Sequence, residues 1–98
     1  MLVRIVKMGF EQEKIEEFIQ IFEAAKEKIR GFDGCEFLEL YQDQTNSSVF
    51  FTYSYWTGEE ALEGYRNSKL FQTTWESTKK LFNQKPEAWS VHKLHSLA

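Results

Sequence analysis

The hydrophobic period of this chain switches repeatedly between that of a strand and that of a helix, and the order of the switches constrains the fold more than any single motif. From Leu2 to Met8 polar and apolar residues alternate, with β-branched Val3, Ile5 and Val6 among them, which predicts a strand stopped by Gly9. From about Gln12 to Arg30 the period becomes helical: Ile15, Phe18, Ile19, Phe22, Ala25 and Ile29 fall on one stripe, with Glu16, Glu17, Glu23, Lys26 and Glu27 off it. Gly31 stands where a left-handed C-cap belongs, Phe32 follows to close the end, and Asp33-Gly34 completes the corner. Cys35 to Gln42 alternates again. The turn formers Asp43 to Ser47 then lead into Val49 to Trp56, so these two runs make a hairpin.

Thr57 with Glu60 three residues on reads as a capping box, starting a helix at Gly58 that carries Ala61, Leu62 and Tyr65 inward. A second helical segment, Leu70 to Phe82, takes Ser68 or Asn67 as its cap and aligns Phe71, Thr74, Trp75, Thr78, Leu81 and Phe82. Asn83 to Pro86 ends it, because the residue before proline is driven out of the α region. Ala88 to Leu97 reads as a last strand. The order β-α-β-β-α-β is the split βαβ arrangement, an α+β ferredoxin-like fold with a four-stranded antiparallel sheet and its helices on one face. At 98 residues the chain has room for one such domain, spanning 1–98, and not for a second catalytic domain.

A sheet covered on one side only should be polar on the other. Here both sides are apolar: Val3 and Ile5 oppose Leu2, Val6 and Met8; Val49, Phe51, Tyr53 and Tyr55 oppose Phe50 and Trp56; Phe37 and Tyr41 oppose Leu38 and Leu40. The helices cannot cover both sides, so the pattern predicts a homodimer packed sheet to sheet. Composition agrees, since nine Phe, four Tyr and three Trp are more large rings than one core of this size takes. A net charge of -3 with interspersed signs argues against a nucleic-acid footprint. Cys35 is the only cysteine, which excludes an intrachain disulfide and a four-thiolate metal site and suits a reducing, cytoplasmic setting. The first residues carry charges within their apolar stretch and lack a small-residue cleavage site, so no signal peptide is read there. No apolar run reaches membrane-spanning length, and no membrane partner is expected.

The run Tyr53-Ser54-Tyr55-Trp56-Thr57-Gly58-Glu59-Glu60-Ala61-Leu62-Glu63-Gly64-Tyr65-Arg66-Asn67-Ser68-Lys69-Leu70-Phe71 resembles the strand-to-helix junction of antibiotic biosynthesis monooxygenase domains. Those domains have a tryptophan ending the strand, an acidic helix start and a Ser-x-x-Phe-type segment opening the next helix. Gly31-Phe32-Asp33-Gly34-Cys35 is similar to the corner before the second strand in the same family. The resemblance implies a dimeric α/β barrel of ferredoxin-like protomers, and, for enzymatic members, oxidation of polycyclic aromatic or quinol-like substrates by dioxygen with no added cofactor. The family's two frequent histidines fall at Tyr65 and Leu70 here. In the register of the haem-degrading branch, its asparagine, tryptophan and histidine fall at Lys7, Tyr65 and Trp75, and an indole cannot replace imidazole on iron.

Two functions follow from the resemblance: a cofactor-independent monooxygenase-like protein acting on a small aromatic or quinone-like compound, or a non-catalytic binding or stress-response dimer that has lost the reactive histidines. In either, the ligand pocket is expected to draw on Thr52, Tyr53, Trp56, Tyr65 and Trp75, although plain core packing is the commoner role for a ring in such a position. Lys7 and His92 are the catalytic candidates. An inward Lys7 ammonium would stabilise an oxyanion, and His92 would act as a base on a phenolic proton. His92 and His95, three apart on the last strand, would point to opposite faces and cannot share a metal, so no metal site is expected.

Overall fold

A computed structural model describes residues 1–98. Its elements are β1 (Leu2–Gly9), a 3-10 turn (Gln12–Lys14), α1 (Ile15–Arg30), β2 (Cys35–Gln42), β3 (Val49–Trp56), α2 (Glu59–Arg66), α3 (Lys69–Lys79) and β4 (Glu87–His92). The strands form one antiparallel sheet in the order β2-β3-β1-β4, the ferredoxin-like order in which β1 and β3 take the centre. Strand alternation then sorts the side chains. Leu2, Arg4, Val6 and Met8 of β1, Phe50, Thr52, Ser54 and Trp56 of β3, and Leu38 and Leu40 of β2 share the face beneath the helices. Ile5 of β1, flanked by Tyr53 and Trp89 in register, lies on the outer face with Phe37, Tyr41, Phe51 and Tyr55.

The core beneath the helices is divided. One cluster joins Met8, Phe10, Phe18, Phe50 and Leu81, with Phe22, Trp75 and Phe82 packed against it. At its centre Phe10 is 0% exposed and stacks on Phe18 with ring centroids 4.2 Å apart. The other joins Leu2, Cys35, Trp56 and Leu62 under Phe32, Ala61 and Tyr65.

Several local expectations are corrected. On α1 Ile19 is 37% exposed, and Ile21 packs on the core instead. Ile21 lies three residues after Phe18 and four before Ala25, on the buried stripe, whereas Ile19 is turned about 100° away from Phe18. Gly31 stays right-handed at φ −83, and the left-handed residue is Gly34 at φ +90. A Cβ on Gly34 would collide with the Ala61 side chain of α2, so both the turn and the close approach require glycine. The Thr57–Glu60 capping box does not form. Gly58 is the N-cap of α2 with no side-chain bond, while the Thr57 N–H donates to the Gly34 carbonyl at 2.9 Å and ties this corner to the end of β3. Ser68 does cap α3, accepting from the Phe71 N–H at 3.1 Å.

The helix α3 ends at Lys79, short of Phe82, because Phe82 leaves it to pair with Phe10 in an isolated bridge. The last strand ends at His92 rather than continuing to Leu97. Its only neighbour is β1, and His92 already stands opposite Leu2, so the ladder has run out of partner. His95 therefore lies outside the sheet.

Candidate functional site

Between the two core clusters lies a cavity of about 300 Å³, at the lower end of the range for small-molecule sites. Met8 and Phe18 of one cluster and Trp56 and Leu62 of the other line it. One wall is a relay of rings. Trp56 stacks on Tyr65 (4.9 Å, 27°), Tyr65 meets the edge of Phe71 (5.2 Å, 75°), and Phe71 stacks on Trp75 (5.7 Å, 12°). The chain builds this wall locally. Ser68 holds both ends of the break between α2 and α3, accepting from Phe71 and donating its hydroxyl to the Tyr65 carbonyl at 2.6 Å. Phe71 and Trp75, four apart on α3, then present successive turns of one helix face. The opposite wall is the sheet, through Arg4, Val6, Leu38, Thr52 and Ser54. The exposed members of the lining, Arg66, Glu87 and Ala88, place the mouth between the end of α2 and edge strand β4.

Trp56 is 1% exposed, and its indole N–H donates to Ser54 Oγ at 3.0 Å, so this ring is locked as the fixed end of the wall. Burial, with a smaller push from Cys35, raises the Tyr65 phenol to about 12, which leaves it a neutral hydrogen-bonding group. Burial also pushes the Cys35 thiol up, making it a packed side chain and not a nucleophile. No group of three or more His, Cys, Asp or Glu side chains is arranged to hold a metal ion.

Of the residues expected to form the pocket, Thr52, Trp56, Tyr65 and Trp75 line the cavity. Tyr53 does not: strand alternation turns it to the outer face, where its ring packs on Phe37, Tyr41 and Tyr55. Lys7 also points outward, 4.0 Å from the Glu87 carboxylate, so its ammonium does not reach the cavity. His92 is exposed at the end of β4 and is absent from the lining. Both catalytic candidates thus lie outside the site. Sequence reading missed Arg4 and Arg66, which do line it. The signal was present in β1, where Arg4 has the same strand parity as Leu2, Val6 and Met8 and is the one charge on that face.

An antiparallel sheet roofed by helices, with a ring-walled cavity between two halves of its core, defines a small α+β domain of the ferredoxin-like kind. The chain belongs to the antibiotic biosynthesis monooxygenase family, whose sequence model matches residues 1–77. It is monooxygenase-like at the level of that family. Among solved structures, it is similar to an antibiotic biosynthesis monooxygenase at a TM-score of 0.91 and 19% identity, covering 97% of this chain and 100% of the other. A conserved protein of Methanosarcina mazei Go1 superposes with a TM-score of 0.89 at 21% identity, over 95% of this chain and 93% of that one. A proposed antibiotic biosynthesis monooxygenase of Nitrosomonas europaea gives 0.90 at 15% identity, over 97% and 100%. Identities this low carry the fold. No curated protein sequence matches this chain significantly. No helix is long and apolar enough to cross a membrane.

Proposed function

We propose that the protein binds a small flat aromatic or quinone-like compound in the cavity between sheet and helices, and that it does so as a homodimer. The observation that carries the ligand reading is the continuous wall Trp56–Tyr65–Phe71–Trp75 beside about 300 Å³ of open space. A filled core leaves few voids larger than a water molecule. Rings arranged along a gap are the means by which a protein holds another ring. For an oxygenase, the ligand's own anion would supply the electrons to dioxygen, and the site's part would be to hold that anion and exclude water. A specific observation favours the second reading, a binding module without catalysis: neither histidine lines the cavity, Lys7 faces away, and Tyr65 remains protonated through neutral pH.

Oxygen uptake with anthrone and substituted hydroquinones, run beside calorimetric titration of the same compounds, separates these readings. Turnover supports the monooxygenase, and binding without oxygen uptake supports the binding module. Absence of binding across the panel removes the ligand reading altogether. The dimer rests on the outer sheet face, where Tyr41 is 48% and Trp89 44% exposed among other rings. Light scattering should give twice 11.7 kDa, and a mass of 11.7 kDa would sink it. A reducing compartment such as the cytoplasm suits the single unpaired, buried Cys35.

A further inference from the structure

We infer that the ligand is an aromatic carboxylate, its ring on the aromatic wall and its carboxylate between Arg4 and Arg66. This inference rests on the ligand reading above. Arg4 springs from the central strand β1 on the face beneath the helices, and Arg66 from the last turn of α2 at the mouth, so the two arginines line the same cavity from the sheet side and from the helix side. The cross-strand neighbours of Arg4 are both serines, Ser54 on β3 and Ser90 on β4, which leave the space above the strand open. Ser90 also fixes the side chain, accepting a hydrogen bond from Arg4 Nη1 at 2.9 Å.

Neither arginine has an ion-pair partner. The ion pairs of the protein are Lys7–Glu87, Glu23–Lys26 and Glu76–Lys79, none of which includes either arginine. Glu87 belongs to the cavity lining, but its carboxylate is turned to Lys7 on the other side of the sheet. Glu59, at the start of α2, acts on Arg4 only at longer range. Burial weakens the charged form of Arg4, and the neighbouring charge of Arg66 acts in the same direction. Arginine nonetheless remains charged at any ordinary pH. Two cations in a partly dry cavity attract an oxyanion, and the planar fork of each guanidinium suits a carboxylate. Aromatic and aliphatic side chains supply most of the remaining lining, with the ring wall on one side, so the carboxylate would come attached to a flat apolar body.

The test uses two probes of the same shape, 2-naphthoate and its neutral amide 2-naphthamide, titrated calorimetrically into the wild-type protein and into Arg4→Gln and Arg66→Gln. In the wild type the naphthoate should bind about tenfold tighter than the amide, the scale of one charge-assisted contact. Each arginine variant should cut the naphthoate affinity toward that of the amide and leave the amide unchanged. Rising salt should weaken naphthoate binding in the wild type alone, a reading that needs no variant to fold. Equal affinity of the two probes in the wild type, with no salt dependence, overturns the carboxylate inference while leaving an aromatic site standing. Failure of both probes to bind overturns the ligand reading and this inference with it.

Discussion

Both faces of the sheet are rich in apolar side chains, against the usual rule for a half-covered sheet, but the two faces differ in where their polar groups fall. The face under the helices carries Arg4, Thr52 and Ser54 at its centre, beside open space. The face away from them carries Phe37, Phe51, Tyr53, Tyr55 and Trp89, with stacked rings such as Phe37 on Tyr55 at 4.5 Å. A domain whose only hydrophobic requirement was its own core would have left the outer face polar. The contrast separates two placements of aromatic side chains: those under the helices wall a cavity, and those on the outer face pack on one another at the surface.

The largest effect should come from charging the outer face. Ile5→Glu with Tyr53→Glu puts two carboxylates at neighbouring positions of the central strands, since Ile5 stands opposite Tyr53. If two sheets meet there, both charges are buried in each copy without partners, at a cost of several kcal/mol per ion. Light scattering should then read a monomer that is still folded by circular dichroism. A double variant that kept the wild-type mass would show that this face is not the interface.

Next in size is Phe10→Ala beneath the helices. Phe10 is fully buried and touches Phe18, Phe50 and Phe82. Its removal should cost about 3–5 kcal/mol in denaturant unfolding, from lost transfer energy plus the cavity left behind. A loss below about 1 kcal/mol, within the range of a surface change, would mean that this part of the core is not packed as described.

These two experiments also mark where the sequence could be read and where it could not. Strand parity alone assigned the outer rings and the inner apolar residues correctly, because period two has no ambiguity once a strand is recognised. The same parity placed Arg4 inward, but a reading that counts only apolar residues passes over the one charge in the set. Lys7 and Tyr53 do not reach the cavity, because alternation turns both outward. Trp56, Tyr65 and Trp75 line the cavity because a strand end and two helix faces point there. Their joining into one wall depends on how the local break at Ser68 sets α2 against α3, an angle that residue spacing does not encode. The left-handed position went to Gly31, next to the helix, because local rules see the helix end. The approach of Ala61 that makes Gly34 indispensable comes from a helix far along the chain.

The smallest effect is a difference in titration between the two faces, and it sharpens the comparison most directly. Tyr65, under the helices, is raised to about 12 by burial. On the outer face Tyr55 is lowered by its hydrogen bond to Tyr53 and by Lys93, which lies 4.3 Å above its ring, while Tyr53 is raised by the same bond. Phenolate absorbance against pH should therefore show Tyr55 ionising early and Tyr65 last, with Tyr55→Phe and Tyr65→Phe each deleting its own step. The sign for stability follows from the raised value. Tyr65 is neutral in both folded and unfolded chains below the ordinary phenol value of about 10, so its contribution is fully present there. Between about 10 and 12 only the unfolded chain releases the proton, and that contribution is lost as pH rises, on the order of 3 kcal/mol at most. Tyr65→Phe should flatten that part of the wild-type decline. An unchanged decline would place the Tyr65 hydroxyl in bulk water rather than against the cavity wall, and the two faces would then differ in apolar content alone.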